Sequence, residues 1–200
     1  MTNPEDVLEF WLEEIGPEGW YAGTAKVDDA CRDRFGATWQ DLHDGRLEDW
    51  AKTARGALAY LIVADQFARN IHRGNGKSFA TDSKARAVAR KAIERDWDLE
   101  FGSPVRQFFY MPLEHSENDV DQALAVRLFS ERLPESPENL LHAKAHQAII
   151  RRFGRFPFRN GALGRDSTAA EEEFMTKGAY KAFVADMRNK VEAEASPSKT

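Results

Sequence analysis

Three short segments hold the side chains whose types and spacing could do chemistry. The first is DQFARN, Asp65 to Asn70. Each helical residue turns the chain by about 100°, so Asp65 and Arg69, four apart, share a face with Leu58, Leu61 and Ile62 and end its apolar stripe. Burying one charge without a partner is costly. Either the two satisfy each other or a loop backbone, or Arg69 contacts a ligand with Asp65 supporting it. The second segment is YMPLEHSE, Tyr110 to Glu117. Pro112 lacks an amide hydrogen and distorts the helix beside Glu114 and His115. A carboxylate next to an imidazole that titrates near neutrality suits general acid–base work. In the competing reading Ser116 caps the next helix.

The third segment joins a helix to a loop. His142 and His146 fall on one face with Ile149 and Phe153 and point inward, with Arg151 on the opposite, solvated side. Two His at i and i+4 can chelate zinc, but there is no third ligand, HExxH or Cys pair in attendance, so no metal and no cofactor is expected. Beyond the helix, Arg155, Arg159, Asn160 and Arg165 sit among Gly154, Gly161 and Gly164. Guanidiniums bind carboxylate or phosphate bidentately and glycines let backbone amides approach, so an anion pocket is one reading. In the other, these arginines cap helix ends and pair with surface acids. The phosphate-loop pattern GxxxxGK[ST] is absent.

The elements that must position these groups read as about eight helices, near 4–15, 25–43, 48–70, 82–96, 104–115, 117–132, 137–153 and 169–192, the last with a break at Gly178. Asn3-Pro4, Ser103-Pro104 and Ser136-Pro137 each place a polar cap before a proline, Asp82 caps the helix that follows it, and Thr168 with Glu171 fits a capping box. The run ALAYLIVA, Ala57 to Ala64, is apolar on every side, which marks a central helix buried all round. No stretch alternates as a strand would. One all-helical domain over 1–192 is expected, with a disordered tail at 193–200.

Composition narrows the function classes. The 200 residues are 42% hydrophobic, with five Trp, four Tyr and thirteen Phe, which excludes a disordered or fibrous chain. A single cysteine, Cys31, forbids an internal disulfide and points to a reducing cytoplasm. There is no membrane-length apolar run, and the start MTNPEDVLEFW is acidic where a secretory signal is basic. The net charge of −5 argues against a nucleic-acid partner, but it is uneven. Asn139 to Arg165 carries six Lys or Arg and no acid, which leaves −11 on the other 173 residues.

The motifs DQFARNIHRG with FATD, FFYMPLEHSE, and IIRRFGRFPFRNGALGR with the following ST and Glu, in that order, resemble the bacterial domain of unknown function family 924 from roughly Val7 to Phe183. That resemblance implies an all-α fold of antiparallel helix pairs in a right-handed array like tetratricopeptide repeats, with a concave face. It brings no established activity. The sequence departs from the family pattern at Ala68, where proline is usual, and at Phe158, where histidine is common. The second departure lowers any catalytic reading through that position and leaves Arg159 and Asn160 intact.

Three functions follow as expectations. In the first, Asp65, Arg69, Asn70, Tyr110, His115, His146, Arg155, Arg159, Asn160 and Arg165 line a cavity for a small anionic molecule or a peptide carboxylate, the two Arg-Asn dipeptides facing each other across it. The second is a hydrolase-type enzyme using Glu114 and His115 with a water nucleophile, since GxSxG is absent. The third is a protein-interaction scaffold. A homodimer through an exposed apolar helix face is a possible assembly.

Overall fold

The computed structural model describes residues 2–195, and among them there is helix and no strand. The chain forms two compact units, Met1–Ser116 and Glu117–Thr200.

In the first unit, α1 (Pro4–Leu8) starts at Asn3, whose side chain accepts from Asp6 N while the Asp6 carboxylate accepts from Asn3 N. This reciprocal cap satisfies two amide groups that the first turn leaves open. The helix passes without a stop into a π-helical turn (Glu9–Ile15) and then α2 (Gly16–Trp20). Helix α3 (Ala25–His43) starts at Thr24, and α4 (Ala54–Leu61) at Thr53. A second π-helical turn (Ile62–Phe67) carries α4 into α5 (Ala68–Ile71). Helices α6 (Asp82–Glu94) and α7 (Gln107–Glu114) complete the unit. The apolar run Ala57 to Ala64 is buried throughout, as its all-round hydrophobicity requires. Around it Phe10, Phe35 and Phe67 pack with ring centroids 4.9–5.7 Å apart, and Trp11 meets Phe67 edge-on at 5.3 Å.

In the second unit, α8 (Asp119–Arg132) and α9 (Pro137–Phe153) pack together, and α10 (Ala169–Thr176) and α11 (Ala179–Ala195) follow a short turn at Pro157–Arg159. Ile149, Ile150, Phe156 and Phe174 form its core. The Thr168–Glu171 capping box forms. The break at Gly178 also forms: its φ is +95°, in the left-handed region that glycine enters without strain.

Three of the expected caps differ. Thr81, not Asp82, precedes α6, which frees the Asp82 carboxylate for a longer-range partner. Asn118, not Ser116, caps α8, its Oδ1 accepting from Val120 N and Asp121 N. Ser103-Pro104 does not open a helix. α7 starts at Gln107, whose side-chain amide takes the Pro104 carbonyl. Of the expected tail, 193–195 belong to α11 and 196–200 lie outside the described residues.

Candidate functional site

In the first unit the site is built on the π-helical turn Ile62–Phe67. Such wide turns loosen the regular backbone ladder and recur at functional positions. Here the Thr81 hydroxyl enters the ladder and donates to Ala64 O at 2.6 Å. The next residue, Asp65, is only 1% exposed. Three side chains converge on its carboxylate. Gln66 Nε2 donates to Oδ2 at 2.6 Å, His115 Nδ1 lies 2.9 Å from both oxygens, and an Arg69 terminal nitrogen stands 3.0 Å from Oδ1. The same Arg69 nitrogen donates to the Asp65 carbonyl at 2.7 Å, and the guanidinium also reaches Asp82 at 3.2 and 3.3 Å.

These contacts decide protonation states. Burial works against an ionised Asp65, but the Arg69 charge and the His115 imidazole outweigh it and hold the carboxyl far below the usual range. An ionised carboxylate can only accept, so the proton between the two residues belongs to His115 Nδ1. In the neutral ring the basic lone pair is then at Nε2. The His115 side chain keeps 14% of its surface accessible.

Around this pair Gln107, Met111 and Glu114, spaced four and three apart on α7, share one face. Glu114 is buried. The Tyr21 hydroxyl donates to Gln107 Oε1 at 2.5 Å and lies 3.8 Å from Met111 Sδ, the sulfur that Gln66 Nε2 approaches to 3.6 Å. Tyr21, Gln66, Asp82 and Gln107 were not among the expected site residues. The spacing of Gln107, Met111 and Glu114 was a usable signal, whereas Tyr21 lies 86 residues from its partner and leaves no local mark.

Two expected members of this site do other work. Asn70 turns away from Arg69, as helix neighbours do, and donates to Asp28 Oδ1 at 2.9 Å, while Arg73 donates to Oδ2 at 2.5 Å and to Oδ1 at 2.7 Å. Tyr110 is fully buried and donates to Asp98 at 2.6 Å, so it belongs to the core rather than to a cavity wall.

The second unit holds the basic loop, and two of its arginines, Arg155 and Arg165, are engaged by acids of the same unit. Arg155 grips both Glu171 oxygens at 2.7 and 2.8 Å and the Asp166 carbonyl at 2.7 Å. Arg165 holds Glu117 at 2.7 and 3.0 Å and donates to Asn160 Oδ1 at 3.0 Å, while Asn160 Nδ2 donates to Ser167. The Arg155 bond, with the Thr168 amide, pulls the Glu171 carboxyl down to about 2. Burial disfavours the Glu117 charge, yet Arg165 and the Phe156 amide bring that carboxyl below its ordinary value. Arg159, 7% exposed, lies 4.6 Å over the Phe156 ring. His146 Nδ1 is 3.0 Å from the His142 carbonyl, which can only accept, so that nitrogen carries the proton. Tyr180, absent from the sequence expectations, places its hydroxyl 2.6 Å from His142 Nδ1 and 3.3 Å from His146 Nδ1. Phe158 stacks on Phe156 with centroids 5.2 Å apart.

Among the described residues no group of three or more His, Cys, Asp or Glu is arranged to hold a metal ion, and no helix is long and apolar enough to cross a membrane. No curated protein matches the chain. A solved structure, a protein of unknown function, ATU0120, from Agrobacterium tumefaciens, is similar to it at 36% identity with a TM-score of 0.81, over 86% of this chain and 96% of that one. The profile of a family described as bacterial protein of unknown function, DUF924, matches residues 7–179. With most of its length inside that match, the buried Asp65–His115 pair included, the chain belongs to the DUF924 family.

Proposed function

We propose that this protein is a hydrolase-type enzyme in which Asp65 and His115 act as an orienting carboxylate and a general base. The observation that carries the reading is the buried, ionised Asp65 holding His115 Nδ1 at 2.9 Å, an arrangement that fixes the ring tautomer and puts the basic lone pair of the neutral ring on Nε2. Arg69 acts through Asp65, keeping it ionised. His115 Nε2 takes a proton from water as the water oxygen adds to an ester or phosphoester centre. The imidazolium returns that proton to the departing alkoxide, so the products are an acid and an alcohol and the histidine ends neutral. General-base help of this kind contributes about 10²–10⁴-fold in rate.

The test uses p-nitrophenyl acetate and p-nitrophenyl phosphate with the wild-type protein and His115→Gln. Turnover of either ester that falls at least a hundredfold in the variant supports the reading. No turnover of either, or turnover untouched by the substitution, overturns it.

A second reading, a site for a small anion or peptide carboxylate, draws support from Arg159, a nearly buried guanidinium over an aromatic ring. It ranks lower because Arg69, Arg155 and Arg165 are already engaged by carboxylates of the protein itself, with which an added anion has to compete. A rise in melting temperature with millimolar phosphate or citrate that Arg159→Ala removes would favour it.

A further inference from the structure

Tyr21 presents a contradiction that the fold alone does not require. It sits between α2 and α3 with 61% of its surface exposed, the largest share of any Tyr, yet its hydroxyl turns away from water into the protein. There it donates to the neutral amide oxygen of Gln107 and rests against Met111 Sδ. The same sulfur is touched by Gln66 Nε2, and Gln66 Nε2 is bonded to Asp65 Oδ2, so a short chain of contacts runs from the phenol to the buried carboxylate. Burial, with the charges of Glu114 and Asp65 close enough to be felt, drives the phenol well above its ordinary pKa. This hydroxyl is therefore a donor and not a base at any physiological pH.

Resting on the acid–base reading of Asp65 and His115, we propose that Tyr21 is a substrate-contacting residue of this site, its hydroxyl exchanging the Gln107 oxygen for an acceptor oxygen of the substrate. The geometry suits such an exchange. A neutral amide is a weaker acceptor than an ester carbonyl acquiring negative charge or a phosphoryl oxygen, so the bond strengthens as charge develops. The class of substrate is accordingly a small ester or phosphoester that offers one acceptor oxygen to a phenol while its reacting centre faces His115. A purely structural role, tying the α2–α3 connection to α7, is the competing account.

The experiment compares wild type, Tyr21→Phe and His115→Gln on p-nitrophenyl acetate and p-nitrophenyl phosphate, with melting temperatures measured alongside. Phenylalanine keeps the ring and removes only the hydroxyl. A fall in kcat/KM of ten- to a hundredfold in Tyr21→Phe, with a melting temperature within about 2 °C of wild type, is the expected result. Activity lost in His115→Gln but retained in Tyr21→Phe overturns this inference alone. Activity indifferent to His115→Gln, or none in the wild type, overturns the acid–base reading and this inference with it. Ultraviolet titration of the phenols adds a readout independent of turnover. The wild-type minus Tyr21→Phe difference must show a tyrosine that resists ionisation beyond the free amino acid, and a difference curve centred at the ordinary value near 10 overturns the placement of the hydroxyl.

Discussion

The Asp65 cluster and the basic loop are both made of arginines and carboxylates, but they differ in which groups meet each carboxylate. At Glu171 the two oxygens meet one bidentate guanidinium and a helix cap, and Arg155 also donates to a backbone carbonyl. At Asp65 the guanidinium takes one corner, and an imidazole with a second ring nitrogen takes another. The first arrangement closes on itself. The second sets an imidazole and a guanidinium against one buried carboxylate. A count of like charges in a sequence window therefore says little about the field a ligand meets. Two of the six cations in the acid-free stretch from Asn139 to Arg165, Arg155 and Arg165, are paired with Glu171 and Glu117, which lie on either side of it.

That contrast can be broken experimentally. The largest effect is expected from Asp65→Asn, which removes the buried charge that Arg69 and His115 both face and should lower stability by about 3–5 kcal/mol in urea unfolding. A cost no greater than that of the surface changes below would erase the distinction. Glu171→Gln comes next, with about 1 kcal/mol lost through the weakened α10 cap. It also carries a pH signature. Because the folded-state carboxyl is lowered to about 2 from 4.5, its contribution is fully present above about pH 4.5 and is lost as pH falls toward 2. The variant should therefore show a flatter acid limb over that window in thermal melts. Gly178→Ala should follow closely, since the φ of +95° disfavours a side chain and the new Cβ would stand 2.9 Å from that of Ala182. A lower melting temperature measured by circular dichroism, with unchanged helix content at 20 °C, checks it. Arg151→Ala should be nearly silent, within about 0.5 kcal/mol, because its contact with Asp119 is long at 3.5 Å and open to solvent.

What the sequence made legible was local. The Asn3-Pro4 cap, Thr168 with Glu171, and the stop at Gly178 depend on residues a few positions apart, and all three form. The all-round burial of Ala57 to Ala64 follows from composition alone. The site was half legible. Asp65, Arg69 and His115 were singled out, but the bond between Asp65 and His115 spans 50 residues and nothing in either motif announces the other. Asp82 looked like a cap because Asp favours helix starts. Its carboxylate instead answers the Arg69 charge, and that electrostatic demand arises only once the helices pack. Likewise, adjacent residues such as Arg69 and Asn70 look like one unit in a motif, although a helix sends them in different directions.

The π-helical turn at Ile62–Phe67 has a consequence in the counting of residues. A wide turn behaves as one extra residue within an otherwise regular helix, a slip of phase that leaves no mark in composition. Because the run before it is apolar on every side, removing one residue at Val63 would leave the core's chemistry almost unchanged while rotating Asp65 and everything beyond it by about 100° relative to α4. Asp65 and Arg69 would still be four apart and would still pair, but His115 would face a different residue. The geometry of the Asp65 cluster is thus specified by chain length between landmarks as much as by the identity of any side chain, and an alignment that closes a one-residue gap here would superpose the letters and misplace the cluster.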